Sequence, residues 1–294
     1  FGVEYGKYDP DMNLSEEGQP VVTNADLLAR ASDGIQLLIE AAAMPACDFA
    51  IDYSKGIEVL LPSVSPMRRS VQLLVLDAER LIASGDIDQA GIRIVAALQT
   101  SQHVAADGTL INALVSMACF SHVDGFIQHH SDLFEDSHRK NIAHALARFN
   151  REDPFHCIGA VRNEAKYFGE WMLRRVDAEW ADQDSFLSDL NLLFDDDTAS
   201  ELGRDAIAKH FSSHLDFQHQ LRSEISKYTT WMMLLAEAWN RPHAAESIEA
   251  LETQLRDGNF GFIAHAMAPS LTRSHANDMR IRASLEDLMQ WAAR

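Results

Sequence analysis

Two histidines four residues apart, His210 and His214, are the pair in this sequence best spaced to hold a metal. On a helix their imidazoles would share one face, with Asp216 or His219 near enough in sequence to join them. A zinc centre takes three or four ligands, so two histidines are only half of one. Glu135 and His138 form a single Glu-x-x-His, whereas a carboxylate-bridged iron bundle takes two copies and two more inward carboxylates; a solvated helix face accounts for the pair. His129 and His130 fall where a helix should end, and positive charge there suits the helix dipole. Cys47, Cys119 and Cys157 stand far apart with no CxxC pairing, which reads as small core residues. His156 precedes Cys157 directly, but neighbours on a helix point about 100° apart, so adjacency makes no catalytic pair. Nucleophile-elbow and phosphate-cradling glycine motifs are absent.

Asp195, Asp196 and Asp197 followed by Glu201 give an Asp-Asp-x-x-x-Glu arrangement. It resembles the magnesium-diphosphate motif of all-helical isoprenoid synthases, which implies Mg²⁺ held between Asp196, Asp197, Glu201 and phosphate oxygens. No second metal-binding segment matches. Thr198 to Glu201 also reads as a capping box, with the preceding acids favouring the helix dipole. The sequence therefore assigns no catalytic, cofactor-binding or metal-binding residue.

The elements that must carry these groups are helices. Residues 1–22 hold two prolines, three glycines and no periodicity, and read as an extended arm. The spacing predicts a helix from Asn24 to about Met44, stopped by Pro45. After an irregular connection, Ser65 and Pro66 signal a start, with Leu74, Ala78 and Leu81 on one face and Gly85 as the end. From Asp86, the residues Ile87, Ala90, Ile94, Ala97 and Leu98 form a stripe. Further helices are predicted over 109–130 (Leu110, Leu114 and Met117 aligned) and 133–150 (Ile142, Ala145, Leu146 and Phe149 aligned). Pro154 opens a helix with Val161, Ala165, Phe168 and Met172, and a shorter one carries Phe186, Leu190, Leu193 and Phe194. Leu221, Ile225, Tyr228, Met232, Leu235 and Trp239 make a long coiled-coil-like seam, read as core. Ala244, Ile248, Leu251 and Leu255 follow, then breaks at Gly258 and Gly261, then Ile281, Leu285, Leu288 and Ala292. The expected fold is all-α: about ten helices in an irregular antiparallel array, one domain over 23–294, with a subdivision near 150–154 as the alternative.

Residues 76–98 resemble one tetratricopeptide hairpin, with Gly85 and Asp86 at the turn, Ala90 five residues after the glycine, and Ala97 and Leu98 at the later small and apolar positions. The resemblance implies a solenoid of helical hairpins. A wider one, over about residues 24–120, is to uncharacterised bacterial helical proteins with a segment like Asp52-Tyr53-Ser54-Lys55-Gly56, then Leu60, Leu61, Pro62, Pro66 and Arg68. It implies the fold and, for such proteins, an N-terminal membrane anchor, which is not expected within these 294 residues; it implies no activity.

Forty-four acidic against 25 basic residues leave a formal charge of -19 on 294 residues, and 47% are hydrophobic. That charge repels nucleic acid and anionic lipid and attracts a basic protein or peptide. No stretch of about 20 uninterrupted apolar residues is visible, nor a signal peptide, so the chain reads as soluble. Its start at Phe1 leaves room for an upstream anchor or signal. The leading expectation is a non-enzymatic helical-repeat protein whose groove receives a peptide or protein. The alternatives are a metal-dependent helical enzyme at His210 and His214 or at Asp196, Asp197 and Glu201, and the soluble structural part of an envelope-anchored bacterial protein.

Overall fold

The computed structural model describes residues 8–12, 22–106, 108–180, 185–186, 217–267 and 271–294. Among these the chain is all-helical, with ten α-helices and no strand. Helix α1 (Asn24–Ala42) begins on a capping box in which Thr23 accepts from the amide of Asp26 and Asp26 returns the bond. Helix α2 (Val64–Ala83) starts earlier than Ser65 predicts, with Ser63 at the cap making no side-chain bond. Pro66 is still accommodated, because amides in the first turn have no intrahelical acceptor to lose. Gly85 at φ +83° reverses the chain, and the amide of Asp86 bonds back to the Leu81 carbonyl at 2.9 Å. Asp86 then caps α3 (Ile87–Ala105) through the amide of Gln89.

Two compact units divide the described residues: the first takes 1–49, 62–157 and 278–294, the second 50–61 and 158–277. In the first, α2 packs on α3 and α3 on α4 (Leu110–His129), while α1 rests on α2 and α3. Contacts also join α2 to α4, α1 to α3, and α3 to α5 (Asp136–Leu146). Alternate helices thus share a layer, α2 with α4 and α1 with α3 and α5. Ala78, Ala90 and Ala97 are fully buried in the α2–α3 hairpin, where small side chains permit close helix approach. Of the arm, residues 9 and 10 hook onto α1: Asn24 donates to the Asp9 carbonyl and the Ala25 amide to the Pro10 carbonyl.

Helix α4 corrects one expectation. It is long and apolar enough to cross a membrane by length and composition, which no uninterrupted run in the sequence signalled. It is nonetheless a core helix: Phe120, Val123, Phe126 and Ile127 are wholly buried, and its buried Asp124 is bonded to Gln128 and Ser284. Leu114, expected in line with Leu110 and Met117, is exposed, and the helix instead buries the face through Ala113 and Phe120. Because apolar residues occur on every side of α4 and polar ones such as Asn112, Ser116 and Asp124 are buried, its sequence carries no periodic signal to say which face is inside.

In the second unit, α6 (Cys157–Ala178) and α7 (Phe217–Ala238) carry most of the core, with α8 (Ala244–Arg256) and the short α9 (Gly261–Met267) packed on α7. Helix α10 (Leu271–Ala292) begins in this unit and ends in the first. Pro154 lies in the turn before α6 rather than at its start. All six residues of the long seam, Leu221 to Trp239, are buried, as core. At about 1.5–3 kcal/mol per large apolar side chain, that stripe outweighs any helix propensity of α7. Glu224 of α7 is 3% exposed and accepts from the Phe262 amide at the start of α9.

The segment Asp52 to Gly56 is a strap docked on α6. It forms a 3-10 turn (Tyr53–Glu58), with Asp52 capping the Ser54 amide. Tyr53 stacks on Tyr167 at 4.4 Å and 5°, Arg174 donates to the Ser54 carbonyl, and Glu58 faces Arg175. Gly56 sits at φ +57°, ψ -124°, against Trp171, where a Cβ would lie 2.2 Å from the indole. Only glycine satisfies both the backbone and the contact.

Candidate functional site

Three of the groups the sequence singles out, Glu135, His138 and His130, are engaged in structural contacts. Glu135 and His138 make a capping box at the start of α5: the carboxylate accepts the His138 amide, and His138 Nδ1 accepts from the Glu135 amide at 3.2 Å. Nε2 then carries the proton and donates to Asp88 at 2.7 Å, so no lone pair remains to act as a base. His130 caps α4 and places Nε2 3.0 and 3.1 Å from the two carboxylate oxygens of Glu79, both residues being buried. His129 is exposed.

Cys157 is buried and its thiol is pushed well up by burial and by the neighbouring Asp278 and Asp153, while His156 is exposed. Burial takes Cys119 up to about 12. Neither supplies a thiolate. His219 is exposed on α7. His210, His214, Asp216, Asp195 to Asp197, Thr198 and Glu201 lie outside the described residues, as do Leu190, Leu193 and Phe194. Among the described residues, no three His, Cys, Asp or Glu side chains converge as metal ligands.

The first unit does form a concave feature, a trough of about 270 Å³ in the α1, α3 and α5 layer. Its floor is one face of α3, on which Asp88, Ile92, Val95 and Gln99 recur at helical spacing. Ile39 and Ala43 of α1 form one wall, and His138, Asn141 and His144 of α5 the other. Gly91 lies under His138, 3.2 Å from where a Cβ would stand. From Asp88 to Gln99 the floor runs about 17 Å, the length of about five extended residues. The lining is mostly apolar with polar groups at the rim, and Ile92 is 42% exposed. Asp88, its single carboxylate, is already engaged by His138.

One end is closed by a bridge. With its amide turned to satisfy both neighbours, Gln99 donates to the Ala42 carbonyl at 3.2 Å and accepts from Arg148 at 3.1 Å. Arg148 also donates to the Met44 carbonyl at 3.0 Å. Beyond the bridge is a separate cavity of about 280 Å³, lined by Cys47, Gln102, His103, Arg148, Asn150 and His156 with Phe149 and Pro154. Burial holds the His103 imidazole below its usual range, against the opposing pull of the Ala42 carbonyl, leaving it neutral at pH 7. In the second unit a wider depression of about 570 Å³ lies between Leu173 of α6 and Ile225, Thr229 and Met233 of α7.

The sequence did contain a signal for the trough. Ile92 and Val95 fall off the core stripe Ala90, Ile94, Ala97 and Leu98 and give α3 a second apolar face. Comparison with known proteins found no match for the chain: no protein family, no curated protein and no solved structure.

Proposed function

We propose that this chain is an interaction protein of tetratricopeptide-like build, and that the α1/α3/α5 trough receives a short extended segment of a partner polypeptide. The observation that carries the reading is the second apolar face of α3, open between two walls and rimmed by Gln99, Asn141 and His144. Apolar floor with amide and imidazole rim is the composition by which a groove holds side chains and main chain of a peptide together. The alternating layers of α1 to α5 support the repeat-like part of the reading, because stacked hairpins leave such troughs between helices of one layer. Apart from Asp88, which His138 engages, the acidic groups lie outside the lining, so a net charge of -19 steers a partner that is basic beside the seated segment rather than within it.

Selection from a random peptide library displayed on phage tests this. The enriched peptides should bind the chain and lose at least about tenfold in affinity to Ile92→Arg, which places a charge on the floor. Leu60→Arg, at a position 79% exposed in the second unit, should leave affinity unchanged. Peptides that bind Ile92→Arg as well as they bind the parent, or no enrichment at all, overturn the assignment.

A further inference from the structure

We infer that the cavity beyond the Gln99–Arg148 bridge is a binding site for a small organic carboxylate. It is distinct from the trough, and the inference stands whether or not the trough seats a peptide. None of the side chains lining the cavity is acidic, in a protein with 44 Asp and Glu. Arg148 supplies a full positive charge, and its hydrogen bonds go to the Met44 carbonyl and the Gln99 amide, neither of them charged. The helix-end carbonyls that would repel an anion are occupied, Ala42 by His103 and Met44 by Arg148.

Gln102 lines the same cavity, and its amide nitrogen is buried with no protein acceptor, a donor that an oxyanion would satisfy. His156, in the wall, holds a left-handed backbone at φ +57°, a conformation that costs energy for any residue but glycine and gathers at binding sites. Phe149 and Pro154 give an apolar face against which the body of the acid can lie. A charged head met by a guanidinium and amide donors, with a small apolar body, is the chemistry of a monocarboxylate.

Cys47 reports on the site, since it lines the cavity and is part-exposed while Cys119 and Cys157 are buried. The experiment follows alkylation of Cys47 in the full chain by iodoacetamide, resolved by peptide mass spectrometry. Probes are benzoate, acetate, benzyl alcohol and benzylamine, together with a short peptide bearing a free or an amidated C-terminus. The expected result is saturable protection by benzoate and none by benzyl alcohol or benzylamine. Arg148→Met should weaken that protection about ten- to a hundredfold, the size of one lost charge-assisted pair. Gln102→Leu, which leaves the Arg148 bridge intact, should weaken it in the same direction.

His156→Gly should raise the thermal midpoint by relieving the backbone while reducing protection, a split that a purely structural histidine would not show. Stronger protection by the free-ended peptide than by benzoate would assign the carboxylate to a chain end, and the reverse to a free acid; either supports the site. Equal protection by benzyl alcohol, no protection by any carboxylate, or full protection in folded Arg148→Met and Gln102→Leu would overturn it.

Discussion

Gly56→Ala should detach the Asp52–Glu58 strap from α6. Two costs add. An L-residue at φ +57°, ψ -124° is held in a region almost reserved for glycine, about 1–3 kcal/mol. The new methyl would also stand 2.2, 2.3 and 2.6 Å from three indole carbons of Trp171, which is 4% exposed and cannot yield without repacking, about 1–3 kcal/mol more. The strap is held by the Tyr53–Tyr167 stack, the Arg174 bond to the Ser54 carbonyl and the half-exposed Glu58–Arg175 pair. Together these are worth about 2–4 kcal/mol, so the strap lifts before the unit unfolds. Hydrogen exchange by mass spectrometry on the peptide covering residues 50–61 should accelerate at least about tenfold, with a smaller fall in the urea midpoint. Unchanged exchange in Gly56→Ala would refute the close approach and the reason given for glycine at this position.

Gly34→Ala is the contrasting case: the site is helical and nothing lies within 4 Å of the added methyl, so urea unfolding should show a gain of about 0.5–1 kcal/mol. Glu79→Ala leaves the buried His130 ring nitrogen without its acceptor and should cost about 1–3 kcal/mol, whereas Asp88→Asn, at a side chain 87% exposed, should move stability by less than about 1 kcal/mol. Burial depresses the folded pKa of His103 below the ordinary imidazole value of 6.5, so its contribution is present above that pH and is lost as pH falls through the folded value. His103→Gln, which keeps a donor for Ala42, should therefore flatten the loss of stability below pH 6.5 in urea titrations at stepped pH. An unaltered slope would count against that assignment. In the native chain a disulfide reagent should titrate Cys47 rapidly and reach Cys119 and Cys157 only on unfolding.

Periodic stripes made the helices legible where one face alone is apolar. Leu221 to Trp239 and Ile281 to Ala292 are buried as read, because polar neighbours on the other faces leave a single way to orient each helix. The rule fails on α4, where apolar residues all round give Leu114 and Met117 equal claims and only packing against α2 and α3 decides. It fails differently at Ser65, because capping depends on the backbone angles of the preceding turn, which composition does not reveal. The strap was visible as a motif, but its meaning was not: the contact between Gly56 and Trp171 joins residues more than a hundred positions apart. Glu135 and His138 drew attention as metal-type spacing, and the same three-residue step is what a capping box uses. The trough was half legible, in that Ile92 and Val95 marked a second face on α3 whose walls come from helices distant in sequence.

The central claim is that the α1/α3/α5 layer is where a partner binds, and a hydrogen-exchange footprint of the chain with a selected peptide bound tests it most directly. Slowed exchange should be confined to α3 from Asp88 to Gln99 and to the walls near Ile39 and His138–His144. Protection of the α6–α7 depression in the second unit instead, with α3 unchanged, would contradict it.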